Sequence, residues 1–88
     1  GITAGSIVAN IGDSTVTIDL KKNGTSVMTT IITLDNANTA RIVEVGVLNG
    51  SLVTLATDDW LELVIVATVG TGTLSTGLFV QVVLDMSP

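Results

Sequence analysis

Residues able to carry chemistry are few in this chain, and their types exclude several kinds of site. The sequence contains no Cys and no His, which removes thiol nucleophiles, thiolate or imidazole metal ligands and the usual general base near neutral pH. The only adjacent acidic pair is Asp58-Asp59. Because neighbouring side chains on or near a strand point apart, the two carboxylates are not expected to converge for acid–base catalysis. We interpret this pair as a solvated turn.

Two polar segments have the composition of binding loops. Asp35, Asn36 and Asn38 offer oxygen ligands for Ca²⁺, but the spacing lacks the EF-hand pattern with its bidentate Glu. The segment 70–73, Gly-Thr-Gly-Thr, is rich in glycine, yet neither the Lys-Ser/Thr pair nor the helix of a phosphate-binding loop follows it. We therefore expect a non-enzymatic protein without a cofactor or a bound metal.

One cation and one aromatic residue are the remaining candidates for recognition. Arg41 is the only arginine, and a cross-strand pair with Glu44, Asp19 or Glu62, of the same or of another subunit, is compatible with the sequence. Trp60 offers a platform on which a sugar can stack. Since the chain has no Tyr and a single Phe, its aromatic surface for carbohydrates is small, and packing is the favoured role of Trp60.

The overall composition limits the partners of the chain. Eight acidic residues against three basic ones give a net charge of −5 and a pI of 4.1, so there is no positive field for nucleic-acid phosphates or anionic lipids. No apolar run approaches the ~20 residues that span a bilayer. We expect neither nucleic acid nor a membrane as a partner, and 88 residues are enough for one small domain.

The residue pattern is typical of β-strands. Val, Ile and Thr make up 35 of the 88 residues, and their β-branched side chains favour strands over helices. Residues 15–20 alternate strictly, and Asn23-Gly24 then supplies the strongest short hairpin signal. Further strands are predicted over 25–33, 41–45, 51–55, 60–68 and 78–85. With no helical period, the chain is predicted to be an all-β protein, a small antiparallel β-sandwich or jelly roll.

We divide the chain into an N-terminal arm, residues 1–14, and a single β-sandwich domain, residues 15–88. The first dozen residues are small and polar apart from isolated apolar side chains, and Gly5, Asn10 and Gly12 interrupt any sustained strand pattern. The arm is predicted to hold one short strand.

Two late strands are apolar on both faces. Leu61, Leu63 and Ile65 share one face, and an antiparallel strand usually has its other face in water. A second apolar face needs a cover, which a neighbouring subunit can provide. We predict that a subunit interface contains Trp60, Val64, Val66, Phe79 and Val83. The alternative is that these strands are central in one sheet and are covered by the N-terminal arm.

Three segments together resemble a known group of proteins. Residues 16–27, VTIDLKKNGTSV, are similar to the Lys-Asn-Gly-Thr hairpin of small β-domains in tailed-phage virion proteins. Residues 55–63 are similar to their Leu-x-x-Gly-Asp-x-Leu-x-Val segment, with Asp58 at the usual Gly position, and residues 72–84 resemble their closing strand. The resemblance covers most of the chain. The proteins of this group are decoration, head-fibre and tail-fibre domains, and many of them resemble trimeric jelly rolls of the tumour-necrosis-factor-like type.

This resemblance implies a homotrimer on a virion surface, made in the host cytoplasm. The expected function is that of a capsid decoration protein, of the cement or head-fibre type, whose partners are its own copies and the major capsid protein or another virion protein. The arm is expected to dock on the capsid through Ile2, Ile7 and Ile11. The alternative is a receptor-binding tip domain of a tail or head fibre, which attaches to host surface glycans through the loops at 35–38 and 70–76.

Overall fold

The computed structural model describes residues 1–49 and 54–83, and these residues form nine β-strands and no helix. Every pairing between these strands is antiparallel. The predicted all-β antiparallel fold class is confirmed. In chain order the strands are β1 Ile2–Val8, β2 Thr15–Lys22, β3 Thr25–Ser26, β4 Met28–Thr30, β5 Ile32–Leu34, β6 Glu44–Val45, β7 Val47–Leu48, β8 Leu61–Thr68 and β9 Thr76–Val82.

The strands build two main sheets and one small one. The first sheet has the order β6-β1-β9, so β1 is its central strand. In the second sheet β2 is central, with β3 and β5 along one side and β8 along the other. Strands β4 and β7 pair separately. Strand β5 packs against β6 and β1, so the β5 and β6 edges close one side of the sandwich. Strands β8 and β9 are at the other ends of their sheets and therefore lie on the opposite side.

The hairpin from β2 to β3 forms where the sequence predicts it. Asn23 and Gly24 connect the strands with φ angles of 52° and 88°, as the primed turns that match strand twist require. The strict alternation of β2 places Val16, Ile18 and Leu20 in the core.

Both main sheets contribute to one hydrophobic core. Ile2 and Ala4 of β1 face the apolar side of β2 and the two buried residues of β5, Ile32 and Leu34. Gly46 lies in the same core, where an added Cβ would overlap the end of Met28 and lie 2.9 Å from Ile2 Cγ2. The core therefore has no room for a side chain at position 46.

The prediction of one strand over 25–33 is wrong. Val27 and Met28 are consecutive residues, and both side chains enter the core. Two adjacent inward side chains break the period of two that a flat strand keeps. The segment is therefore divided, with β3 and β5 pairing with opposite ends of β2 while β4 joins β7.

Two other predicted strands differ in their bounds, and one cannot be compared. Arg41 adopts the left-handed region with φ 65°, so the strand predicted over 41–45 is reduced to β6. The last strand begins at Thr76 and continues to Val82, and residues 84 and 85 of the prediction lie outside the described residues. The strand predicted over 51–55 also falls largely outside them.

The predicted N-terminal arm is a structural strand. Residues 2–8 form β1 at the centre of a sheet, and Ile2 is 0% exposed. The small residues of this segment allow another part of the chain to approach the backbone closely, and they do not indicate irregular structure. A Cβ added to Gly5 would lie only 2.7 Å from Cζ of the Phe79 ring. Glycine at this position therefore allows the aromatic ring to cover the backbone.

Candidate functional site

The most distinctive surface of the molecule is the side of the sandwich that β8 and β9 leave open. Strand β8 has only β2 as a described neighbour, and β9 has only β1. Each strand therefore presents one row of backbone N–H and C=O groups that no described strand pairs. Edge strands of this kind are templates on which another chain can add.

The pairing register shows which side chains of β8 and β9 face inward. Leu63 and Ile65 lie opposite Leu20 and Ile18, whose side chains are buried. Directly opposite residues of an antiparallel pair point to the same face, so Leu63 and Ile65 belong to the core face of the sheet. They are nevertheless 39% and 45% exposed. The core face of β8 is thus only half covered by the described chain.

Strand β9 has the same property. Leu78 and Val82 lie opposite the buried Ser6 and Ile2 of β1, yet both are exposed. We call the set of Leu63, Ile65, Leu78 and Val82 the open edge. Neither Lys, Arg nor Pro occurs in β8 or β9, and Glu62 is their single charged residue. The charges and prolines that commonly protect an edge strand are therefore almost absent.

The five residues predicted for a subunit interface lie on or next to the outer face of the same two strands. Trp60, Val66 and Val83 are exposed, and Val64 is half-buried. Phe79 is also half-buried, because its ring lies over Gly5. Their role in an interface stays a prediction. The interface predicted from the sequence does not contain the four residues of the open edge, because alternation alone assigns them to a covered core face.

The three residues predicted for capsid docking are divided by the fold. Ile2 is a core residue and cannot contact a partner, so this part of the prediction is wrong. Ile7 and Ile11 are exposed, and Val8 between them is exposed as well. The exposed side chains that are available for docking therefore lie at the end of β1 and just after it. They do not belong to a separate arm.

The position of Trp60 is fixed by a polar clamp on the β2–β3 hairpin. Asn23 accepts a hydrogen bond from the Trp60 N–H at 3.0 Å and donates one from Nδ2 to Asp59 Oδ1 at 2.8 Å. The Ala56 N–H donates to Asp59 Oδ2 at 2.7 Å. This backbone hydrogen bond is the largest cause that lowers the pKa of Asp59, followed by the Asn23 amide, with a further contribution from the charge of Lys22. The carboxylate thus holds the turn before β8 against the hairpin.

A second carboxylate fixes the glycine-rich loop at 70–73. Asp13 Oδ1 accepts from the Thr71 N–H at 2.7 Å and from Thr71 Oγ1 at 3.1 Å, and these hydrogen bonds lower its pKa. Ile11 and Thr73 exchange two backbone hydrogen bonds of 2.9 Å beside it. The loop proposed for a fibre tip is therefore bound to the segment that follows β1.

Buried polar groups lie under this loop. Ser14 Oγ lies 2.6 Å from the Thr73 carbonyl and accepts a hydrogen bond from Asn10 Nδ2 at 3.1 Å. Asn10 is 4% exposed, and its Oδ1 has no partner among the described residues. The hydrogen bonds of Ser14 and Asn10 connect the two loops internally.

The polar segments 35–38 and 58–59, considered above for Ca²⁺ binding and for acid–base catalysis, make structural hydrogen bonds. Asp35 Oδ1 accepts from the Ala37 N–H, and Asn38 Oδ1 accepts from the Asp35 N–H, as in a turn capped by its own side chains. Asp58 takes a left-handed φ of 71°, and Asp59 is the hairpin clamp. Across residues 1–49 and 54–83 no group of three or more acidic side chains could hold a metal ion.

Comparisons with family models, with curated proteins and with solved structures find no match for this chain. Within the described part of the chain, no helix has the length and apolar character needed to cross a membrane.

Proposed function

We propose that this chain is a structural protein of a phage virion, a capsid decoration protein that forms a homotrimer on the capsid surface. The observation that carries this proposal is the open edge, whose core-face side chains the described chain leaves half exposed. Apolar residues on an unpaired edge favour association with another chain. Among the described residues, an apolar surface whose two strands carry one charged side chain, Glu62, favours assembly over catalysis.

The charge of the chain supports a role in a large, soluble assembly. The net charge is −5, while β8 and β9 carry only Glu62. The two strands themselves therefore carry little charge whose desolvation would oppose association. Acidic surfaces that remain exposed repel one another between assemblies and keep them in solution.

The virion assignment rests on the resemblance of residues 16–27, 55–63 and 72–84 to phage virion domains. Many copies on a regular shell need only a modest interface each, since trimerisation links three docking surfaces. Ile7, Val8 and Ile11 are the exposed apolar residues that follow the buried part of β1. We propose them as the contact with the major capsid protein or another virion protein.

The test begins with the solution mass of the whole chain, measured by light scattering across a dilution series. We expect three copies of 9.0 kDa, or 27 kDa. Ile65→Lys should shift the mass toward the monomer, because it places a charge in the open edge. Thr33→Lys, on an exposed position of β5, is the matched control and should leave the trimer intact. A 9.0 kDa monomer at every concentration contradicts the proposal.

The second step addresses the virion. Purified trimer should bind capsids that lack decoration proteins, and Ile7→Ser combined with Ile11→Ser should weaken that binding without changing the trimer mass. A trimer that binds no capsid and instead binds host glycans would contradict the decoration role. Such a result would favour the fibre-tip alternative.

A further inference from the structure

The turn between β2 and β3 contains a chemically labile pair of residues. An asparagine amide is thermolabile, and glycine after it gives the backbone nitrogen free access to the side-chain carbonyl carbon, because glycine has no side chain in the way. Asn23 and Gly24 form such a pair, and both are exposed. Apart from the chain neighbours of Gly24, no described atom lies within 4 Å of the position that a Cβ there would take. The Gly24 N–H donates no hydrogen bond to a described residue. The attacking nitrogen is therefore unobstructed.

The amide of Asn23 is also part of the clamp that holds the turn before β8. Its Oδ1 accepts from the Trp60 N–H at 3.0 Å, and its Nδ2 donates to Asp59 Oδ1 at 2.8 Å. The Asn23 N–H donates to the Trp60 carbonyl at 3.0 Å. A ring that joins the Gly24 nitrogen to the Asn23 side chain expels Nδ2, so the hydrogen bond to Asp59 must break first. The clamp thus opposes the reaction that the turn sequence favours.

We propose that Asn23 is a site of spontaneous deamidation and that the clamp with Asp59 limits its rate. The backbone nitrogen of Gly24 attacks Cγ of Asn23 and loses its proton. The bond from Cγ to Nδ2 breaks, and Nδ2 takes up a proton and leaves as ammonia, which yields a five-membered succinimide. Water then adds to one of the two carbonyl carbons of the ring. Ring opening gives aspartate or isoaspartate at position 23, so that one water is consumed for each ammonia released.

The product cannot form the clamp again. A carboxylate at position 23 still accepts from the Trp60 N–H, but it has no N–H group to donate to Asp59. Two carboxylates would face each other where an amide and a carboxylate now lie 2.8 Å apart, and like charges at this distance repel. Isoaspartate also adds a methylene group to the main chain, which a two-residue turn does not accommodate. Deamidation therefore releases the turn before β8 from the hairpin, and it does so whether or not the chain assembles.

Timed incubation of the whole chain at mildly alkaline pH, followed by peptide mapping, tests the site. Mapping separates residue 23 from Asn49, the other asparagine that glycine follows, and an isoaspartate-specific methyltransferase detects the second product. We expect conversion at residue 23 in the native chain, and faster conversion in urea, where the clamp is absent. Asn36 is exposed but is followed by Ala37, and it serves as the internal reference. Conversion of Asn36 before residue 23 would overturn the assignment, and equal rates at residue 23 with and without urea would contradict the role of the clamp.

Two variants separate the clamp from general stability. Asp59→Ala should raise the rate of conversion at residue 23 by roughly tenfold, because it removes a hydrogen bond to a charged group. Asp13→Ala removes the carboxylate that binds Thr71, and this loop makes no described hydrogen bond to Asn23. The control should therefore convert at the native rate. The same rate in both variants, whether native or faster, contradicts a specific role of Asp59.

The product is tested with Asn23→Asp, which creates the aspartate form directly. Its melting temperature should fall by several degrees. Adding Asp59→Asn should recover most of this loss, because the new amide can donate to the carboxylate at 23 while its oxygen still accepts from the Ala56 N–H. Asn23→Asp combined with Asp58→Asn removes the same charge one position away and should recover nothing. Equal recovery by both pairs would show that net charge is the cause and would overturn the broken clamp. None of these outcomes depends on the proposed homotrimer, whose own test is the solution mass.

Discussion

Two aspartates connect segments that are distant in the sequence. Asp13 binds the backbone and hydroxyl of Thr71, and Asp59 binds Asn23 and the backbone of Ala56. Asp13 is exposed and Asp59 is half-buried, and hydrogen bonds to the charged form are the largest cause that lowers each pKa. Asp13 fixes the loop before β9, and Asp59 fixes the turn before β8. The two strands of the open edge are thus each preceded by a carboxylate clamp.

These clamps predict a loss of stability in acid. The pKa of Asp59 in the folded protein lies below its ordinary value of 3.8, so its stabilising effect is present above that value and is lost as the pH falls through the lower folded pKa. Asp59→Asn should therefore reduce the difference in melting temperature between about pH 7 and about pH 3.

The matched control is Asp58→Asn. The carboxylate of Asp58 accepts no hydrogen bond from a described residue, and Asn tolerates its left-handed backbone equally well. This variant should keep the acid dependence of the native chain. An equal loss of acid dependence in both variants would mean that the hydrogen bonds of Asp59 are not its cause.

Strand β1 is an element that its own sequence does not predict. Gly5, Asn10 and Gly12 are signals of irregular chain, and they led to the prediction of an arm. The contacts that convert this segment into a central strand come from β6 and β9, which are far away in the sequence. The reason for a glycine at position 5 is the ring of Phe79, which packs on the backbone there and leaves no room for a side chain.

The fold makes a clear prediction for two isoleucines of β1. Ile2 is fully buried and Ile7 is exposed. Ile2→Ala should lower the free energy of unfolding by about 2–5 kcal/mol, since it leaves a cavity in the core, while Ile7→Ala should change it by about 0.5 kcal/mol or less. Urea unfolding followed by circular dichroism measures both. Equal, small effects would indicate that the N-terminal segment is an arm after all.

Other elements were accessible from local pattern alone. The alternation of β2, the Asn23-Gly24 turn and the long β8 were predicted closely, because each depends on residues next to one another. The division of residues 25–34 was not predicted. It requires Val27 and Met28 to enter the core together, and Met28 pairs there with Leu48, which is distant in the sequence.

At the scale of the whole molecule, the proposed association through the open edge has a consequence for thermal stability. Association makes the stability of the folded state depend on chain concentration. When a trimer unfolds to three chains, a tenfold change in concentration corresponds per chain to two thirds of ~1.4 kcal/mol, about 0.9 kcal/mol, and about 1 kcal/mol moves the melting temperature of a domain this small by roughly 4–8 °C. We therefore expect the melting temperature to rise by several degrees for each tenfold increase.

Calorimetry over a range of concentrations measures this dependence. The native chain and Thr33→Lys should show the rise, and Ile65→Lys should show a smaller one, because its open edge contains a charge. Reversible unfolding at one temperature for all concentrations would contradict association of the folded state.

The sequence by itself determined the fold class, the first hairpin and the unusual apolar character of β8 and β9. These properties follow from side-chain branching, turn chemistry and alternation, which act between neighbouring residues. Only the tertiary structure decided that Ile2 is buried, that Leu63 and Ile65 stay half exposed on a core face, and that Val45 and Val47 are exposed on either side of the buried Gly46. The burial of a residue depends on which distant strand packs against it. A local sequence pattern does not specify that strand.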